Sequence, residues 1–154
     1  ADHIIAAALN WNDYRQAAGP YDPIFMHTVH NKLKTSKWFE EKKYRYHPLE
    51  KVAQIEGYYQ GYFSPVADKI DELFTCFFKE TEEQAEIAAT LYAVWNNFLI
   101  NKAQFTDADL VKTFFEWSDR KAKYTTEQVT KCLNWMKEKN LVPVGWGKLI
   151  KEKK

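Results

Sequence analysis

The sequence predicts a mainly helical protein with a minor β component, in which short hairpins of the winged-helix type follow helices. Apolar residues recur at three- and four-residue spacing along most of the 154 residues. Capping residues separate these periodic segments. Strict alternation of polar and apolar residues is confined to one short run, KYRYHPL. This length, with 45% apolar residues, is enough for one compact domain over residues 1–154.

Breakers and caps define the predicted helices. They cover residues 3–18, 23–37, 49–63, 65–79 and 85–101, and two more begin at Thr106 and Thr126. Gly19 and Pro20 end the first helix, and Asp22 followed by Pro23 is a typical start for the second. Gly57 and Gly61 are expected to break the third.

Further caps are predicted in the second half of the chain. Ser64 is an expected N-cap before Pro65, and Thr81 forms a capping box with Gln84. Asn140 is predicted to end the last helix in the left-handed conformation. The residues predicted to face inward on that helix are Val129, Cys132, Leu133 and Met136.

Two regions are expected to form strands. The first begins at Trp38-Phe39 and continues through residues 43–49, with Tyr44 and Tyr46 on one side and Lys43, Arg45 and His47 on the other. A helix over 23–37 followed by two short strands is the outline of a winged helix, with a core of Phe25, Val29, Leu33 and Trp38. The second region, LVPVGWGKLI, is predicted to form a strand and turn after the last helix. It suggests a second winged-helix-like unit.

Charge is segregated along the chain, although the net charge is only +1. Residues 27–52 and 120–154 are basic, whereas residues 53–119 are acidic. A basic face is typical of nucleic-acid binding, while clustered solvated side chains are the alternative. The candidate phosphate-binding residues are Lys32, Lys34, Lys37, Lys42, Lys43 and Arg45, with a second group at Arg120, Lys121 and Lys123. The candidate base-stacking residues are Tyr44, Tyr46, Tyr58 and Tyr59.

Motifs for catalysis are absent from the sequence. It has no GxSxG, Walker A or GxGxxG motif, so no catalytic residue is predicted. Cys76 and Cys132 form neither a disulfide framework nor a zinc motif, and both are expected in the core. His27 and His30 have the spacing of a metal pair but lack a third ligand, so no metal site or cofactor is predicted. No apolar run reaches about 18 residues, so no membrane partner is predicted. The absence of a disulfide framework predicts reduced thiols and a cytoplasmic protein.

Several phrases together resemble the C-terminal assembly domain of the motor (restriction) subunit of type I restriction-modification enzymes. They are AAGPYDP (17–23), KLKTSKWFE (32–40), YHPLEKVAQIEGYY (46–59), AEIAATLYAVWNNFLI (85–100), FEWSDRKAKYTTEQV (115–129) and LNWMKEKNLVPVGWGK (133–148). The resemblance implies a non-catalytic domain excised from a longer chain. Its partners would be the methyltransferase and specificity subunits and double-stranded DNA. The parent chain would be an ATP- and Mg-dependent endonuclease and translocase.

Two alternatives come from other classes of protein. A weaker resemblance, on the GP turn, the IEG-aromatic stretch and the late tryptophan segment, is to a helical domain of toxin–antitoxin antitoxins. Such a protein-interaction domain would use the acidic edge at residues 80–86 or the aromatic surface. The third hypothesis is a small enzyme or nucleotide binder that uses Tyr58, Tyr59 and His30.

Overall fold

The computed structural model describes residues 23–43 and 45–150. The predicted helix 3–18, its Gly19-Pro20 stop and the Asp22 cap lie outside the described residues. The α-helices are α1 (Pro23–Thr35), α2 (Ile55–Phe63), α3 (Ala67–Phe77), α4 (Glu82–Ile100), α5 (Asp107–Glu116) and α6 (Thr126–Glu138). Strands β1 (Phe39–Lys42) and β2 (Arg45–Pro48) form a two-stranded antiparallel sheet. The predicted class, mainly helical with a minor β component, is confirmed.

Contacts between residues divide the chain into two compact units. The hairpin unit comprises Pro23–Thr75, and the core unit has residues 76–150 as its described part. Three 3₁₀ segments complete the helical structure, at Glu50–Gln54, Ser64–Val66 and Asp119–Lys123.

The hairpin unit begins with α1, which is followed by β1 and β2. Phe39 pairs with Pro48 and Lys42 with Arg45, and Lys43 lies in the connection between the two strands. The prediction that Lys43 belongs to a strand is therefore wrong. Lys43 adopts a φ of 51°, a left-handed conformation that suits a hairpin turn. The predicted core position of Leu33 is also wrong, since α1 leaves this side chain 37% exposed, while Val29 and Trp38 are half-buried.

The second half of the hairpin unit is almost continuously helical. Gly57 and Gly61 lie inside α2 and do not break it, since a glycine only weakens a helix. Ser64 is not an N-cap, because it has helical φ and ψ and begins the 3₁₀ segment that joins α2 to α3. Pro65 fits the first turn of that segment because no helical N–H is required of it there.

The core unit is built around α4, which packs against α5 and α6. The inward-facing residues predicted for α6 are all buried, as are Leu110 and Phe114 of α5. The Thr81 hydroxyl accepts a hydrogen bond from the Gln84 N–H at 3.1 Å and caps α4. Asn140 has a φ of 54° after α6, as predicted.

The segment at residues 141–150 is not a strand, so the second predicted hairpin is wrong. Its backbone groups bond to side chains of α4 and not to a neighbouring strand. Asn96 accepts from the Gly145 N–H at 3.0 Å and donates to the Trp146 carbonyl at 2.9 Å. Asn97 accepts from the Ile150 N–H at 2.9 Å and also donates to its carbonyl. These two asparagines satisfy the backbone groups that a strand would have paired.

Candidate nucleic-acid interface

A ring cluster holds the hairpin against α1. The imidazole of His30 stacks on Phe39 with 5.3 Å between ring centroids, and Tyr46 meets both rings edge-on. His30 Nε2 also lies 3.4 Å from Glu41 Oε2. Phe39, Glu41 and Tyr46 share one face of the hairpin, because partners in an antiparallel register lie on the same side. The opposite face, which contains positions 40, 42 and 47, is therefore turned away from α1.

The lysines predicted to bind phosphate in this unit are on its surface. Lys32 and Lys34 lie in the last turn of α1. Lys37 lies in the connection to β1, and Lys42 and Lys43 lie at the tip of the hairpin. All five side chains are exposed. Arg45 occupies the position paired with Lys42, which places its residue at the same tip.

One acidic side chain reduces the charge of this tip. Glu40 accepts a hydrogen bond from Lys42 at 2.5 Å, and this bond lowers the pKa of Glu40 below its ordinary value. Both side chains are solvent-exposed, so the pair contributes little to stability.

The second predicted basic group does not form a surface patch. Arg120 and Lys123 are exposed, but Lys121 is 0% exposed and points into the core unit. Lys121 Nζ bonds to Glu86 Oε1 at 2.9 Å and lies 5.5 Å from the centre of the Phe114 ring. The prediction that Lys121 contacts DNA is therefore wrong. The ammonium group of Lys121 forms an ion pair with the Glu86 carboxylate, and the Lys121 side chain does not reach solvent.

Glu86 is the centre of a charged network that the sequence did not reveal. Its carboxylate accepts hydrogen bonds from Lys121, from Lys123 at 2.9 Å and from the Tyr124 hydroxyl at 2.7 Å. Burial raises the pKa of Glu86, but these three donors outweigh it and bring the pKa to about 2. The pKa of Lys121 is lowered by burial, which its bond to Glu86 opposes. The network joins α4 to the segment before α6 and is a structural feature of the core unit.

The candidate stacking residues divide into two groups. Tyr46 is exposed to solvent on one side, while its ring packs edge-on against His30 and Phe39. Tyr58 and Tyr59 lie on α2, where Tyr58 meets Trp38 edge-on at 6.0 Å and Tyr59 is half-buried. The Tyr59 hydroxyl donates to the Ala67 carbonyl at 3.0 Å and to Asp71 at 2.9 Å. Tyr44 lies outside the described residues.

Metal-ligating side chains, the Cys132 thiol and a surface groove are the features that bear on an enzyme site in the described part of the chain. Among residues 23–43 and 45–150, no group of three or more His, Cys, Asp or Glu side chains could hold a metal ion. Burial raises the pKa of Cys132 to about 12, so its thiol remains protonated. An open groove between α4 and α5 is lined by Ala103–Thr106 and Asp109. Thr106 and Asp109 bond to each other there in the capping box of α5.

No helix in the described ranges is long and apolar enough to cross a membrane. Comparison with protein-family models, with curated proteins and with solved structures gives no match to this chain.

Proposed function

We propose that this chain is a non-catalytic module of a type I restriction enzyme motor subunit, which docks the motor on the methyltransferase core and contacts duplex DNA. The proposal is supported by the resemblance of the phrases over residues 17–148 and, for DNA contact, by the geometry of the hairpin unit. The observation that carries the DNA contact is the exposure of five lysines between the end of α1 and the hairpin tip, Lys32, Lys34, Lys37, Lys42 and Lys43.

The chemistry of these residues favours phosphate contact over base readout. Lysine ammonium groups are flexible point charges, which bind phosphate oxygens without reading sequence. Lys42 ends β1 and Lys43 follows it in the connection to β2, so both lie at the tip of the hairpin. A narrow, cationic tip of this kind suits the backbone of a duplex. The resulting binding is expected to be weak, salt-sensitive and independent of sequence.

Titration of the 154-residue chain into a labelled duplex of about 20 base pairs tests the DNA contact. If all five lysines contact phosphates, the affinity should fall by roughly 100- to 500-fold between about 50 and 200 mM salt. Two duplexes of unrelated sequence should bind equally. Absence of binding at low salt, or affinity that does not change with salt, would contradict the DNA part of the proposal. Co-purification with methyltransferase and specificity subunits tests the assembly part separately.

A further inference from the structure

Three aromatic side chains of the hairpin unit lie in a row, which we call the aromatic ladder: Trp38, Tyr58 and Tyr62. Tyr58 meets Trp38 edge-on, and its ring centroid is 6.4 Å from that of Tyr62 with the two rings only 12° from parallel. Tyr58 and Tyr62 are four residues apart on α2, so one turn of a single helix sets their spacing. Tyr58 is 52% and Tyr62 77% exposed, so the ladder presents aromatic ring surface to solvent.

The flank of the ladder is open. Gly57 and Gly61 directly precede Tyr58 and Tyr62 in the chain, and the space where a Cβ would stand on either glycine is empty of other groups. Tyr59 is not a member of the ladder, because its hydroxyl is bonded to α3. A planar group can therefore approach the ladder rings without meeting a side chain at the two glycine positions.

Positive charge lies at the Trp38 end of the ladder. The Leu49 N–H donates to the Trp38 carbonyl at 3.0 Å, and Lys51 Nζ donates to the Ser36 carbonyl at 2.7 Å. These two bonds bring Lys51 beside the stretch 36–38, which includes Lys37. Both lysines are exposed, so their ammonium groups are accessible to an anion next to the rings.

On α2, negative charge lies on the side opposite the ladder. Glu56 is two residues before Tyr58, which places the two side chains about 160° apart around the helix. The Glu56 carboxylate also accepts a hydrogen bond from Gln60 at 2.9 Å. The other carboxylates between residue 50 and the end of α3 are Glu50, next to Lys51, and three on α3, Asp68, Asp71 and Glu72. An anionic chain on the ladder is therefore expected at the Trp38 end.

We infer that the aromatic ladder binds single-stranded nucleic acid, with unpaired bases on Tyr58 and Tyr62 and the phosphate backbone at Lys37 and Lys51. Exposed aromatic rings stack on bases of any sequence, and neighbouring cations bind the phosphates. A duplex does not offer its bases to the ladder, because they are already stacked on one another. The inference therefore goes beyond the duplex contact of the proposed function. It shares Lys37 with that contact and does not depend on it.

Titration of the full chain into labelled oligothymidylate and oligouridylate of about 12 nucleotides tests the inference by fluorescence anisotropy. Binding of either one supports it, and the comparison shows which sugar the site accepts. With one phosphate at each of the two lysines, log affinity should fall against log salt with a slope of about −1.4. Absence of binding to both at low salt would overturn the inference. If a proline-rich peptide binds and neither oligonucleotide does, the ladder is a peptide site instead.

Variants then locate the binding. Tyr58→Leu with Tyr62→Leu removes both exposed rings and should weaken oligonucleotide binding by about tenfold or more, with the salt slope kept because no charge is lost. Tyr58→Phe with Tyr62→Phe keeps the rings and should bind within about twofold of the unaltered chain. Trp146→Leu is the control, because it removes a ring that is 65% exposed on the core unit and should leave the affinity unchanged.

The same variants separate this inference from the proposed function. The leucine variant should bind a duplex as the unaltered chain does, whereas failure of the duplex contact would leave oligonucleotide binding in place. Tyr62→Leu alone, at the more exposed ring, repeats the test if the double variant loses its helical circular dichroism. Unchanged oligonucleotide affinity in the leucine variant would overturn the inference. An equal loss in Trp146→Leu or in the phenylalanine variant would do the same.

Discussion

Lys121 and Glu86 form a buried ion pair, in which Nζ of the lysine lies 2.9 Å from Oε1 of a glutamate 35 residues earlier. The Lys121 side chain is fully buried, and Glu86 is mostly buried. Lys123 and Tyr124 bond to the other carboxylate oxygen, so Glu86 holds three donors from one short segment. A buried charge of this kind is strongly destabilising when its partner is removed. The pair therefore fixes the path of the chain between α5 and α6.

Removal of the Glu86 charge should destabilise the core unit. Glu86→Gln leaves the buried ammonium of Lys121 without its carboxylate, and we expect a loss of about 2–4 kcal/mol in the free energy of unfolding. Urea denaturation followed by circular dichroism measures this. Glu127→Gln is the matched control, because Glu127 pairs with Lys131 on the surface of α6 and should change stability by less than about 0.5 kcal/mol. A similarly small loss of unfolding free energy in both variants would show that the buried Lys121–Glu86 pair contributes little to stability.

The same network predicts an acid dependence of stability. The pKa of Glu86 is about 2 in the folded chain against an ordinary 4.5. Because folding lowers this pKa, the contribution of the carboxylate is complete above about pH 5 and is lost as the pH falls through 4.5 towards 2. The stability difference between the unaltered chain and Glu86→Gln should therefore narrow across that range. A difference that stays constant from pH 7 to pH 3 would be inconsistent with the pKa shift.

The asparagine clamp on residues 141–150 should control the order of that segment. Asn96→Ala removes the side chain that bonds to Gly145 and Trp146, so the Gly145 amide should exchange hydrogen faster by about tenfold or more. Gly145→Ala should have a comparable effect, because a Cβ there would lie 3.0 Å from Leu99 Cβ at a φ of 72°. Amides in the middle of α6 serve as the internal reference. Unchanged exchange at Gly145 in Asn96→Ala would refute the clamp.

Capping of α5 should contribute measurably to stability. The Thr106 hydroxyl accepts from the Asp109 N–H, and the Asp109 carboxylate accepts from the Thr106 N–H at 2.8 Å. Thr106→Ala should cost about 1 kcal/mol in thermal or urea unfolding. Thr130→Ala, in the exposed middle of α6, is the control and should be neutral or slightly stabilising. An equal change in the free energy of unfolding for the two substitutions would mean that the capping box does not stabilise the fold.

Some local features of this fold could be predicted from the sequence, and others could not. Caps, breakers and apolar periodicity act over three or four residues, which is why the N-cap at Thr81 and the left-handed Asn140 were assigned correctly. Gly57 and Gly61 were misjudged, since glycine only lowers helix stability and the surrounding residues decide the outcome. The hairpin was expected, but its turn at Lys43 was not, because a lysine at positive φ is an uncommon choice.

Features that depend on distant contacts could not be predicted. Lys121 has the same local pattern as its exposed neighbours Arg120 and Lys123, and only the position of Glu86 shows that it is buried. Asn96 and Asn97 likewise bond to residues about 50 positions away. The sequence pattern of LVPVGWGKLI, taken alone, predicts a strand, because it does not show these bonds. The exposure of the lysines between α1 and the hairpin tip could be predicted, because clustered charge in a polar segment stays on the surface.

The central claim, that the hairpin tip contacts DNA phosphates, is tested most directly by charge reversal at that tip. Lys42→Glu with Lys43→Glu should weaken binding to a labelled duplex by about tenfold or more at low salt and reduce the slope of log affinity against log salt by about two. Lys112→Glu with Lys131→Glu on the core unit makes the same change in net charge and is the control, with affinity and slope both expected to stay close to those of the unaltered chain. Equal losses in the two variants, or no loss at the hairpin tip, would contradict the account.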